Sequence, residues 1–233
     1  MQLSVLASFL GIPAVFGAST ALGGVFTVVL FTNDADSGIS TASTYTHLVD
    51  PLDPTTATVN GVHFTNHERS VAGHYSISGM AGGGTTTTVF GTAKLMKDYV
   101  YEDDERATGL PMVVTLNGLT PGQNYDLRLY GTGEFTHGSA PITITATNGT
   151  GSDVLTGYDE DSYGWHYIQY QYTAAANQVS LSFAHHIINM DREYKLYGFS
   201  QQIAAVPEPG MMGFLAMGGA LALRRRGMTQ QHN

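Results

Sequence analysis

From residue 141 the chain reads PITITATNG, and the alternation in that stretch constrains the fold more than any other feature. In an extended chain Ile142, Ile144 and Ala146 fall on one face, and Thr143, Thr145 and Thr147 on the other. QVSLSFAH repeats the pattern, with Val179, Leu181 and Phe183 set against Ser180, Ser182 and Ala184. NYDLRLYG sets Tyr125, Leu127 and Leu129 against Asp126, Arg128 and Tyr130. A period of two with one apolar face predicts half-buried strands, one side in a core and the other in water. GGVFTVVLF (Gly23 to Phe31) is more continuously apolar and predicts a central strand. TAKLMKDYVYEDDER comes nearest to a 3.6-residue period, but its β-formers and acidic end argue against a helix.

Turn residues separate these strands at intervals of roughly ten residues: Asn60-Gly61, Gly82-Gly83-Gly84, Asn117-Gly118, Pro121-Gly122 and Asn148-Gly149. Many short strands at that spacing predict an all-β, antiparallel sandwich or barrel. Composition agrees. Charged residues make up only 12% of the 233, whereas Gly contributes 28, so helix formers are scarce and turns are plentiful. Leu119, Pro121-Gly122 and Tyr125 fit a corner at which a strand crosses between sheets and a tyrosine hydroxyl bonds to nearby backbone. No linker or repeat divides residues 22–203, which predicts one sandwich domain. Cysteine is absent, which is compatible with export, since a core of this size needs no disulfides.

Charge narrows the partners. The net charge is -9, and residues 19–205 carry seven basic and eighteen acidic side chains, a balance of -11. Nucleic acid is excluded on this basis, because phosphate binding needs clustered Lys and Arg. The acidic runs YEDDER (Tyr101 to Arg106) and DED (Asp159 to Asp161) read as solvated loops.

Motifs for catalysis are missing. His67-Glu68 is not followed by the second histidine of a zinc-protease helix. No Gly-x-Ser-x-Gly occurs, and GMAGGGTTTT lacks the lysine of a phosphate loop and reads as a flexible hairpin or loop. A secreted hydrolase with two carboxylates stays as a lesser alternative, with no constraint on which two. The expectation is a non-catalytic protein that needs no cofactor.

Two stretches suit ligands. TNDADSG offers Asn33, Asp34 and Asp36 just after a strand, hard oxygen donors of the kind a structural Ca²⁺ takes; an ordinary polar loop with an Asx turn is the competing reading. YDEDSYGWHYIQYQY (Tyr158 to Tyr172) gathers the single Trp, five Tyr and an acidic run. Sugar rings stack on exposed aromatic faces while carboxylates take hydroxyls, so Tyr163, Trp165, Asp159 and Asp161 are candidate glycan-binding residues. Simple sandwich packing is the alternative for the aromatics.

The ends carry addresses. Residues 1–18 are mostly apolar, with small residues at Gly17-Ala18-Ser19, and read as a secretory signal peptide whose basic start is truncated. At the other end, Val206-Pro207-Glu208-Pro209 precedes an uncharged run, Met211 to Leu223, and then Arg224, Arg225 and Arg226. As a helix that run covers about 20 Å against the ~30 Å hydrocarbon core, enough for a transient hold with the arginines on the cytoplasmic side. Residues 206–233 resemble the PEP-CTERM sorting signal of Gram-negative bacteria, which has these three parts in this order. The resemblance implies recognition by an exosortase, a membrane cysteine protease-transpeptidase, and delivery to the cell surface or its exopolysaccharide matrix. The body is similar to the lectin-type, galactose-binding-like jelly-roll domains that often precede such tails, through TVNGVHF (Thr58 to Phe64), the Tyr125 corner and YKLYGFS (Tyr194 to Ser200). An immunoglobulin or fibronectin type is the competing topology. The expectation is an exported surface or matrix protein with an adhesive or structural role; the alternative is a carbohydrate-binding module, with Ca²⁺ as a possible aid.

Overall fold

The computed structural model describes residues 23–51, 57–65, 68–84, 91–96, 98–101, 110–133, 141–185 and 194–204. The signal segment 1–18 and the tail 206–233, with its motif and apolar run, lie outside the described residues. Among those described, no helix is long and apolar enough to cross a membrane.

Two antiparallel sheets pack face to face. One runs β1 (Val25–Leu30), β13 (His166–Thr173), β10 (Asn124–Gly131), β16 (Gly198–Ile203), β2 (Tyr45–Val49) from edge to edge. The other runs β12 (Gly151–Tyr158), β11 (Ile142–Asn148), β14 (Gln178–His185), β9 (Met112–Asn117), β6 (Tyr75–Ser78), β5 (Ser70–Val71). The chain passes from one sheet to the other between β9 and β10, β10 and β11, β12 and β13, and β13 and β14, which makes the sandwich a jelly roll. The alternating residues meet between the layers. Ile142, Ile144, Val179, Leu181, Phe183, Leu127, Leu129 and Tyr170 are all buried in one cluster. Tyr125, Tyr172, Tyr170 and Phe26 add a stacked aromatic row to it, with successive centroids 5.7, 4.8 and 4.5 Å apart. The corner forms as the sequence predicts: the Tyr125 hydroxyl accepts from the Thr120 N–H at 3.0 Å.

Three expectations are corrected. The outer face of β10 is not in water: Asp126, Arg128 and Tyr130 are buried with it. A second apolar cluster covers that face, built from Phe31, Ile39, Val59, Val62, Phe64, Leu95, Met96, Tyr130, Tyr167 and Tyr197. It draws on the hairpin β3 (Thr58–Val59) and β4 (Val62–His63), turned by Asn60 and Gly61 at positive φ, and on the four-residue helix α1 (Thr92–Leu95). Asp126 stays charge-paired beneath this cover, with Arg128 Nη2 at 2.7 Å and the Gln169 and Gln202 amides donating at 2.9 and 3.0 Å.

Next, GGVFTVVLF forms β1 at the edge of its sheet rather than at the centre. Its run is continuously apolar because Phe26 and Val28 face the main core while Val29 faces the second cluster. Finally, the glycine run 81–84, read as a turn within a flexible hairpin or loop, is the strand β7 (Ala81–Gly84), which pairs with β8 (Asp98–Tyr101); β8 pairs in turn with β15 (Lys195–Leu196). The stretch TAKLMKDYVYEDDER is thus half helix and half strand, and its residues 102–109 lie outside the described ones.

Candidate functional site

At one end of the sandwich β12 ends and β13 begins, and the seven residues between them make a short, tightly tied loop. A 3-10 turn over Glu160–Ser162 closes through Ser162 N–H to Asp159 O (3.2 Å) and Tyr163 N–H to Glu160 O (3.1 Å). The next three carbonyls are each taken by a donor from elsewhere. Tyr163 O accepts from Gly133 N–H at 3.1 Å, Gly164 O from His166 Nδ1 at 2.7 Å, and Trp165 O from Phe31 N–H at 3.0 Å. Position 133 must be glycine for this contact, because a Cβ there would sit 2.6 Å from the Tyr163 carbonyl oxygen.

Trp165, so held, lines an open depression of about 440 Å³ with Leu30, Phe31, Thr32 and Gly164. Its ring lies 6.0 Å from that of the buried Phe31, and Leu30 is 62% exposed. The indole is half-buried, with part of its surface against the second cluster. An amphipathic ring fixed from behind and facing solvent beside aliphatic carbon is a surface on which the apolar face of a sugar can stack.

Of the four residues predicted for glycan contact, only Trp165 lines the depression. Tyr163 lies almost parallel to Tyr158, with centroids 5.9 Å apart and planes at 12°, and packs against the main core. Asp159 accepts from the Ser162 hydroxyl at 3.0 Å. Asp161 is half-buried. Leu30, the last residue of β1, and Phe31 just after it were not singled out from the sequence; they stand there only as the apolar end of GGVFTVVLF.

The DED run is not a solvated loop throughout. Glu160 is 6% exposed; its Oε2 accepts from the Lys195 N–H at 3.1 Å, and Oε1 has no hydrogen-bond partner among the described residues. Burial pushes its carboxyl well above the usual carboxylate range, against the pull of the Lys195 amide and charge. Around it stand Tyr158, Tyr194 and His166, all buried. The Tyr158 hydroxyl bonds to His166 Nε2, and the Tyr194 hydroxyl is unpaired among the described residues. Burial raises both tyrosines well above their usual range and lowers His166, so burial disfavours the charged form of every group in this cluster.

The three residues predicted for Ca²⁺ are engaged in hydrogen bonds. Asn33 Oδ1 accepts from Ala35 N–H at 2.8 Å, and Asp36 accepts from Asn33 N–H at 2.8 Å, a reciprocal cap of the turn Asp34–Asp36. Asp34 reaches away to α1, where Oδ1 accepts from Thr92 N–H at 2.8 Å. Among the described residues no group of three His, Asp or Glu is placed to hold a metal ion. The Asp36 carboxylate also accepts from the Thr32 hydroxyl at 2.9 Å, which brings an exposed acid to the lip of the depression; the Asn33 amide, foremost among its hydrogen bonds, holds its carboxyl below the usual range.

No family model and no curated protein matches this sequence. Among solved structures, the extracellular domain of ANXUR1 from Arabidopsis thaliana is similar at 13% identity with a TM-score of 0.51, over 69% of this chain and 49% of that one. A β-glucuronidase 2 from Bacteroides uniformis is similar at 13% identity and TM-score 0.47, over 72% of this chain and 19% of that one. CBM35, a carbohydrate-binding module from Paenibacillus barcinonensis, is similar at 11% identity and TM-score 0.32, over 57% of this chain and 94% of that one. This chain spans less than a fifth of the glucuronidase and about half of the ANXUR1 domain. At such identities the likeness is one of fold. Together the fold and the site define a jelly-roll sandwich with an aromatic depression at one end.

Proposed function

We propose that the protein is a non-catalytic carbohydrate-binding sandwich of an exported cell-surface or matrix protein, and that the Trp165 depression receives a sugar ring. One observation carries this reading: the single Trp sits half-exposed beside Leu30 on a loop whose three successive carbonyls are pinned. Preorganisation lowers the entropic cost of binding, and an aromatic platform suits the weak, repeated contacts of a polysaccharide ligand. Glycan binding at the surface would serve the adhesive or structural role expected of such a protein. The exposed Asp36 at the lip favours neutral over uronic-acid sugars, because like charges repel within a Debye length.

A glycan array probed with the wild-type chain and with Trp165→Ala tests the reading. Binding to a neutral glycan that the substitution abolishes supports it, whereas a wild-type chain that binds no glycan, with or without Ca²⁺, sinks it. Bound glycan should be recovered uncut.

Export and sorting rest on residues 1–18, Val206 to Pro209 and Arg224 to Arg226, with an exosortase as processing partner and the 211–223 run held transiently in the inner membrane. Deleting residues 206–233 should retain the protein away from the surface or matrix fraction. A truncated protein that still reaches that fraction contradicts the sorting role.

A further inference from the structure

We propose that His166 is the positioning residue of the Trp165 platform, holding the Gly164–Trp165 turn through a hydrogen-bond relay that begins at the Tyr158 hydroxyl. It rests on the glycan reading of the depression and deepens it by naming what presents the indole. The imidazole is 0% exposed and lies directly behind the loop. A carbonyl oxygen only accepts, so the 2.7 Å contact to Gly164 O requires the proton on Nδ1. With Nδ1 protonated in a neutral ring, Nε2 is an acceptor, and the Tyr158 hydroxyl is the donor it meets. The tyrosine thus selects the tautomer, the tautomer points a donor at Gly164, and Gly164 lines the depression beside Trp165.

The ring has room only because residue 131 is glycine: a Cβ there would lie 3.0 Å from Nε2 and 3.2 Å from Glu160 Oε1. Tyr163 and Tyr158 flank it, with ring centroids at 5.2 and 5.8 Å. Of the bonds on the carbonyls of Tyr163, Gly164 and Trp165, this is the one made by a side chain; Gly133 and Phe31 supply backbone amides for the other two. A side-chain donor can be changed without altering strand pairing, which makes the relay separable from the fold.

Two near-isosteric substitutions separate positioning from packing. His166→Asn keeps a donor at the place of Nδ1 and loses the group that meets Tyr158, whereas His166→Gln does the reverse. Trp165 is the single tryptophan, so acrylamide quenching of its emission reports the platform alone. Quenching in His166→Gln and in Tyr158→Phe should rise by about twofold, with His166→Asn near wild type, since a loop that loses a tie samples open states more often. Affinity for neutral probes, xylohexaose and β-1,3-galactotriose, should fall about tenfold in His166→Gln, about 1.4 kcal/mol, and little in His166→Asn. Equal quenching in the Asn and Gln variants, or wild-type quenching in all three, overturns the proposal. Should neither His166 variant fold, Tyr158→Phe decides alone: raised quenching supports the relay and unchanged quenching refutes it. If the wild-type chain binds neither probe while the quenching order holds, the relay stands and it is the glycan reading that loses support.

Discussion

Where β10 begins, a connected set of buried polar groups is paired, although Gln202 Oε1 on the neighbouring strand has no partner among the described residues. Tyr125 accepts from Thr120, the Tyr172 hydroxyl donates to Gln201 Oε1 at 2.7 Å, and Gln201 Nε2 donates to Thr46 Oγ1 at 3.0 Å. His47 donates from Nε2 to the His74 carbonyl at 3.0 Å and stacks on the His74 ring at 4.1 Å. Where β10 finishes, Glu160 Oε1, Tyr194 Oη and Asp159 Oδ1 are buried without a partner among the described residues, on the 159–165 loop that carries Trp165 and against Tyr158 beside it. An unpaired buried polar atom costs on the order of 1–3 kcal/mol. One end therefore carries the denser hydrogen-bond network, and the other leaves several buried polar atoms unpaired near the depression proposed above to take a sugar.

Several substitutions break or sharpen that contrast. Leu127 is 0% exposed between the sheets, and Leu127→Ala should cost about 3–5 kcal/mol in urea unfolding by leaving a cavity. At the paired end, burial lowers His47 from 6.5 to about 4. A group depressed in the folded state contributes stability above its unfolded pKa and loses it as pH falls, so stability should drop between pH 6.5 and about 4, by on the order of 3 kcal/mol. His47→Gln should flatten that drop in a series of chemical melts. Tyr125→Phe should cost about 1–2 kcal/mol, the value of one buried hydroxyl bond to backbone.

The other end should respond with the opposite sign. Burial raises Glu160 in the folded state, so its favourable contribution is full below its unfolded pKa near 4.5 and fades as pH rises. Glu160→Gln should accordingly raise Tm at neutral pH and leave it less changed in acid; a lower Tm at pH 7 would show that the carboxylate is paired there. Leu30→Ser should be the mildest for the fold, within about 0.5 kcal/mol, because the side chain is already in water, while weakening glycan affinity.

Much of the paired end was legible in the sequence. Tyr125, Pro121 and Gly122 act over a few residues, and alternation at 142–147 and 179–184 fixes which side chains enter the core. Trp165 was legible as a loop residue because it directly precedes a strand. Glu160 and His166 were not. An acid between two aspartates looks solvated, and only the packing of β10, β12 and β15 around it takes it out of water. The burial of Asp126 and Arg128 was hidden for the same reason: the cover draws on residues thirty or more positions away, among them Phe31, Phe64, Leu95 and Tyr167, and no local pattern announces it.

A bound sugar is proposed to contact the indole of Trp165. Its emission, followed during titration with a neutral oligosaccharide whose binding is measured in parallel by calorimetry, tests this most directly. A saturable blue shift whose midpoint equals the calorimetric Kd is expected. Binding by calorimetry with unchanged Trp165 emission would place the ligand elsewhere on the sandwich and contradict it.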